Sequence, residues 1–148
     1  MAAPTTAASP QQLIAAAKAL LQAFNDKNWD GVKAAITSDV VYDEVATNRK
    51  VKGADQVVAL WKGWAAAIPD SKATIQGTCT SGNMVIFELT WNGTHKGPLQ
   101  TPKGAIPATG KKIAVRACTV HEIAGDKVKE ERHYFDLMTL LSQIGAGG

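Results

Sequence analysis

His95, His121 and His133 are the chain's three histidines, and imidazole is the side chain best suited to exchanging protons near neutral pH, with an unperturbed pKa of about 6.5. His133 falls in a β-rich run, Lys127 to Phe135. Alternation puts Glu131, His133 and Phe135 on one face of that run and Arg132, Tyr134 and Asp136 on the other. Tyr42 and Glu44 stand two apart in an earlier strand-like run and therefore share a face as well. At an apolar mouth Glu44 could exchange protons with His133; it could equally orient the ring, or lie exposed at a strand end. Thr119 and His121 share a face in the run before His133, across a Gly125-Asp126 hairpin signal. That hairpin brings Ala117 and Thr119 close to His133, so Thr119 could hydrogen-bond the imidazole or a substrate oxygen. Taken alone, these residues also fit polar positions near the rim of a sheet.

Trp61, Trp64 and Trp91 supply apolar walls, and Phe135 lies on the face of His133. Such walls favour flat rings or acyl chains. Asp136 directly precedes an apolar-periodic segment, where its carboxylate reads as a helix cap rather than a base. Arg116 falls on the face opposite Thr119 and reads as a surface or interface residue.

The elements that must hold these groups follow from the patterning. Ser9-Pro10-Gln11-Gln12 is a helix start with a capping box, and Leu13, Ala17, Leu20, Leu21 and Phe24 repeat behind it at helical spacing. A short helix fits Trp29 to Ile36, a strand fits Val40 to Val45, and a turn fits Asn48 to Gly53. A third helix, about Ala54 to Ile68, carries Val57, Leu60, Trp61, Trp64 and Ile68 on one face and stops at Pro69-Asp70. Strands then fit Ala73 to Cys79, Asn83 to Trp91, Lys112 to Ile123 and Lys127 to Phe135. The intervening His95 to Gly110, with three prolines and three glycines, reads as a loop. Leu137, Leu140, Leu141 and Ile144 form a closing helix stopped by Gly145. Helices first and a curled antiparallel sheet afterwards make an α+β pattern. The expected organisation is a flexible tail over residues 1–9 and a single domain over 10–148.

At 148 residues the chain can bury a core without staples. Its net charge of +3, from 16 basic and 13 acidic residues, forms no basic stripe, which argues against a nucleic-acid partner. No apolar run reaches the roughly 20 residues of a membrane span, and the first nine residues lack the charged start and apolar middle of a secretion signal. The expected location is the cytoplasm. Cys79 and Cys118, in apolar runs without metal-ligand spacing, are expected to be buried, reduced thiols.

Gly93-Thr94-His95-Lys96-Gly97-Pro98, then Ile106-Pro107-Ala108-Thr109-Gly110-Lys111, then Tyr134-Phe135-Asp136 and Leu140-Leu141-Ser142-Gln143-Ile144-Gly145 occur in that order. Together they resemble the SnoaL-like polyketide cyclases of the NTF2-like superfamily, and Phe24-Asn25, Trp61, Trp64 and Pro69-Asp70 extend the resemblance over nearly the whole chain. It implies a cone in which a curved sheet wraps around helices and leaves an apolar pocket in its mouth. It also implies a homodimer through the outer sheet face, with no metal or organic cofactor. The acid/base Asp of these cyclases corresponds here to His133, and their helper His to Thr119, so His121 would be a helper shifted by two residues. Glu44 stands where the family has Asn in a Tyr-x-Asn pair. Gly93-Thr94-His95 reads as a structural turn.

The resemblance implies proton abstraction α to a carbonyl, with His133 and Glu44 as candidate catalytic residues. Tyr42, Trp61, Trp64, Trp91, Thr119, His121 and Phe135 would contact a small apolar or aromatic carbonyl compound. Loss of the family carboxylate at position 133 is also what a non-catalytic binding module would show. The limonene-type epoxide hydrolases share the fold but use an Asp-Arg-Asp set. Between Gly82 and His95 the only charged residue here is Glu88, which disfavours that chemistry.

Overall fold

A computed structural model describes residues 7–147. Residues 1–6 of the expected tail lie outside them. Helix α1 (Pro10–Asn25) opens on the capping box: the Gln12 backbone N–H donates to Ser9 Oγ at 3.2 Å, and Ser9 N–H donates to the Gln12 side chain at 2.8 Å. Its stripe of Leu13, Ala17, Leu20 and Phe24 is buried, as the helical spacing requires. Helix α2 (Trp29–Ala35) is capped by Asn28, whose side chain accepts from Gly31 N–H, and runs directly into strand β1 (Ile36–Glu44). A 3-10 turn at Val45–Thr47 leads into β2 (Arg49–Lys52) and then helix α3 (Ala54–Ala67).

The long strands β3 (Lys72–Ser81) and β4 (Met84–Thr94) form one hairpin. Strands β7 (Lys112–Ala124) and β8 (Lys127–Phe135) form another, and helix α4 (Leu137–Gln143) closes the chain. Between the hairpins, β5 (Leu99–Thr101) and β6 (Gly104–Ile106) make a small ribbon of their own. The main sheet runs β2-β1-β8-β7-β4-β3, antiparallel except where β1 lies parallel to β8. Register shifts at Ile36/Val41, Ile75/Gly77 and Glu122/Ile123 mark the irregularities that help a sheet bend. The concave face packs on α1, α2 and α3 through a core that includes Leu20, Val40, Val57 and Phe87. A second cluster, with Ile113, Val115, Leu140 and Ile144, lies under α4. This is the expected α+β cone.

Three readings are corrected. Residues 48–53, expected as a turn, include the edge strand β2, because Arg49 to Lys52 pair with Val41 to Glu44. The segment 95–110 contains the β5–β6 ribbon and is not loop throughout. Cys79 and Cys118 are not buried: one is exposed and the other half-buried, both free. On β7 the inward positions alternate through Val115, Thr119 and His121, so Cys118 faces the outside. Its partial burial, with Glu88 nearby, pushes the Cys118 thiol pKa up.

The turn motifs serve packing. Thr94 donates from its backbone N–H and its hydroxyl to Asp70, at 2.7 and 3.0 Å. A Cβ at Gly97 would run into the Ala66 carbonyl oxygen, so the close approach of this loop to the end of α3 requires glycine. His95 is buried, with Nδ1 3.0 Å from Thr109 Oγ1.

Candidate active site

The parallel pairing of β1 with β8 sets Tyr42 beside Glu131 and Glu44 beside His133. The β7–β8 hairpin sets Thr119 opposite His133 and His121 opposite Glu131. Inner-face side chains of three strands therefore converge under α1 and α3 on one cavity. Its walls are mainly apolar and aromatic, with Trp61, Trp64, Trp91 and Phe135 among them. The rings meet edge-on: Phe24 stands 5.6 Å from Trp61 and 5.3 Å from Trp91, and Trp64 lies 5.8 Å from Phe135, centroid to centroid. Leu20 and Leu21 of α1 and Leu140 of α4 complete much of the remainder.

His133 is half-buried and held from both sides. Trp91 Nε1–H donates to its Nε2 at 3.2 Å, and its Nδ1 lies 2.8 Å from the Tyr42 hydroxyl. An indole nitrogen only donates, so Nε2 is the acceptor and the ring hydrogen sits on Nδ1. Nδ1–H then donates to the Tyr42 oxygen, and the Tyr42 hydroxyl donates to Glu44 Oε2, 3.1 Å away. The charges agree with this order. Burial lowers the His133 pKa below its usual value, against the pull of Glu131 and Glu44. Burial and the neighbouring Glu44 raise the Tyr42 pKa well above 10.0, so the phenol keeps its proton.

Glu44 is fully buried but does not line the cavity, which corrects the expectation of a carboxylate at the mouth. Its Oε2 accepts from Trp64 Nε1–H at 2.8 Å as well as from Tyr42. Its Oε1 accepts from the Thr47 hydroxyl at 2.6 Å and from Arg49 at 2.7 and 3.2 Å. Every partner is a donor, so Glu44 anchors the Tyr42–His133 line from behind. It positions the ring without touching it.

Thr119 lines the cavity, is 2% exposed, and its hydroxyl has no partner among the described residues. A buried hydroxyl left unpaired costs about 1–3 kcal/mol, which a ligand oxygen would recover. Ser71, at another part of the wall, has a hydroxyl in the same condition. His121 is also displaced from its expected role: it is not a lining residue, and it lies behind Glu131 with Nε2 2.8 Å from Glu131 Oε1. Asp136 caps α4, accepting from Thr139 N–H at 3.0 Å and from the Thr139 hydroxyl at 2.6 Å. Those two bonds hold its pKa below the usual carboxylate value.

Glu131 is an acidic lining residue that sequence reasoning did not single out. The signal was present, since alternation put it on the face of His133. The carboxylate that the resemblance expects at position 133 is instead found two residues earlier on the same face. No aspartate or arginine lines the cavity among the described residues.

The α+β cone wrapped around an aromatic cavity has the NTF2-like fold. Within it the chain belongs to the SnoaL-like polyketide cyclase family, whose profile matches residues 14–144. Solved structures agree on the fold. TsrD from Streptomyces laurentii is 19% identical with a TM-score of 0.80, covering 94% of this chain and 98% of that one. A protein of ketosteroid isomerase-like fold from Catenulispora acidiphila, in complex with trimethylamine, is 21% identical with a TM-score of 0.75, covering 93% and 95%. An LEH-like epoxide hydrolase of M. tuberculosis is 21% identical with a TM-score of 0.71, covering 93% and 92%. No curated protein matches the sequence. These likenesses show the fold; the family match supports a small-molecule enzyme. Among the described residues no helix is long and apolar enough to cross a membrane.

Proposed function

We propose that the protein is a cofactor-independent enzyme that removes a proton α to the carbonyl of a small apolar or aromatic compound, with aldol-type ring closure or isomerisation of the resulting enolate. The observation that carries this reading is a neutral imidazole held in one tautomer inside an aromatic cavity. His133 Nε2 takes the α-proton, the C–H electrons form the enolate double bond, and the carbonyl pair moves onto oxygen. The unpaired Thr119 hydroxyl is the donor nearest in register to receive that charge. The imidazolium formed is stabilised through Nδ1–H, Tyr42 and the Glu44 carboxylate, itself ion-paired to Arg49 at 2.7 Å. Enolate carbon and second carbonyl then react within a cavity that fixes their approach.

A binding module is the second reading. Both His133 nitrogens have protein partners in this structure, which suits a site that holds a ligand without reacting. At 3.2 Å the Trp91 contact is the longer of the two, and a ligand can compete for it. The deciding experiment follows α-hydrogen exchange in D2O for a panel of flat aryl ketones and β-ketoesters. The proposal expects catalysed exchange, and a fall of about 100-fold or more in His133→Asn for the α-hydrogen that His133 removes. Binding with no exchange by the wild type would favour the module.

The proposal includes a cytoplasmic homodimer. Two free thiols support the first part. The second is supported by the outer sheet face, where Tyr134 is 43% exposed and paired in register with Cys118.

A further inference from the structure

The His121–Glu131 pair has no part in the reaction proposed above. Both residues are buried, and they face each other in register across β7 and β8. His121 Nδ1 lies 3.2 Å from the Val85 carbonyl oxygen, which only accepts, so Nδ1 carries a hydrogen. Its Nε2 lies 2.8 Å from Glu131 Oε1. Phe87, 5.2 Å from the His121 ring centroid to centroid, packs against it. Glu131 itself lines the cavity, and its contact with His121 is made through Oε1, not Oε2. That oxygen keeps lone pairs for a ligand. His133 stands two residues further along the same face, about 7 Å up the strand, so a flat ring edge-on between the two side chains would meet one on each side.

We propose that Glu131 is a second proton acceptor of the site, so that the two hydrogens of one α-methylene are removed by different residues and ring closure is followed by loss of water. The inference rests on the proton-abstraction reading. His133 Nε2 takes the first hydrogen as a proton, the enolate carbon attacks the second carbonyl, and the imidazolium returns its proton to the alkoxide, giving a β-hydroxy ketone. Glu131 Oε2 then takes the second hydrogen of the same carbon, and the C–H electrons form a new enolate. As the enolate reverts to the carbonyl, the carbon–carbon double bond forms and the C–O bond breaks. The departing hydroxide takes the proton from Glu131, leaving water and the starting carboxylate. The class of reaction is cyclisation with dehydration.

The test uses one enantiomer of 3-methyl-1-indanone in D2O, whose two C2 hydrogens are inequivalent and separately resolved by proton NMR. The wild type is expected to exchange both. Glu131→Gln should slow one by about 100-fold and leave the other within about threefold, and His133→Asn should show the reverse preference. Exchange of a single hydrogen by the wild type overturns the proposal while sparing the His133 reading. So does Glu131→Gln exchanging both at wild-type rates or slowing both equally. If neither hydrogen exchanges, the proton-abstraction reading fails and this proposal with it. Should Glu131→Gln not fold, His133→Asn decides alone: one hydrogen still exchanging supports a second acceptor, and both lost overturns it.

Discussion

Trp91 Nε1–H donates to Nε2 of His133 from 3.2 Å. This contact orders the hydrogens along a line that continues through Nδ1–H, the Tyr42 hydroxyl and Glu44. Because the indole can only donate, it favours the neutral ring and opposes its protonation. The aromatic wall thus contributes to the chemistry of the site as well as to its shape.

Replacing Trp91 with Phe removes that donor and keeps a ring. The His133 pKa should rise, since the protonated form no longer competes with a hydrogen bond to the neutral one. The acid limb of the rate profile should move to higher pH by the same amount. Stability should fall by about 1–3 kcal/mol for the volume lost. Kinetic pH profiles of the two proteins check this; an unmoved acid limb would contradict it.

Stability should depend on pH through His133. Its pKa is lowered in the folded state from 6.5, so the unfolded chain binds the proton more readily. The contribution is fully present above about 6.5 and is lost as pH falls through the lowered folded value. Melting temperatures measured downward from pH 7 should decline more steeply for the wild type than for His133→Asn. Parallel curves would remove His133 as the cause.

Glu44→Gln tests the anchor. A buried carboxylate that accepts from Tyr42, Thr47, Trp64 and Arg49 loses its charge, and one of its acceptor oxygens becomes a donor amide. We expect a loss of roughly 2–3 kcal/mol together with slowed α-exchange. Arg49→Met leaves the buried Glu44 carboxylate without its cation and should also cost stability, about 1–3 kcal/mol. Denaturant unfolding measures both, and either variant keeping wild-type stability would contradict the anchoring role.

Gly97→Ala should destabilise the protein by about 1–3 kcal/mol, because the added methyl would press on the Ala66 carbonyl oxygen. Gly63→Ala in the exposed part of α3 meets no neighbour within 4 Å and should stabilise by up to about 1 kcal/mol. Thermal unfolding of the pair separates loop packing from a general effect of losing glycine.

Much of this was legible in the sequence because burial imposes a period. The stripe of α1, the alternation of β7 and β8 and the Gly125 hairpin fix which residues meet, including Thr119 with His133. The Asp136 cap was readable from its place before Leu137. The direction of Glu44 was not, because it depends on Arg49 and Thr47 folding back from an edge strand that Arg49 to Lys52 scarcely announce. The two cysteines misled because an apolar run does not state which of its alternate faces is inward. Glu131 lay on the correct face, but nothing local marked His121 as its partner. Only the register of the hairpin does that.

The proposed reaction requires a neutral His133 whose Nε2 lone pair serves the cavity. Nitrogen-15 NMR of the imidazole measures this directly. A hydrogen on Nδ1, none on Nε2, a pKa below 6.5 and an Nε2 shift that moves when a flat aryl ketone binds are expected. A ring carrying its hydrogen on Nε2, or one titrating at its ordinary value and indifferent to every ligand that binds, would contradict it.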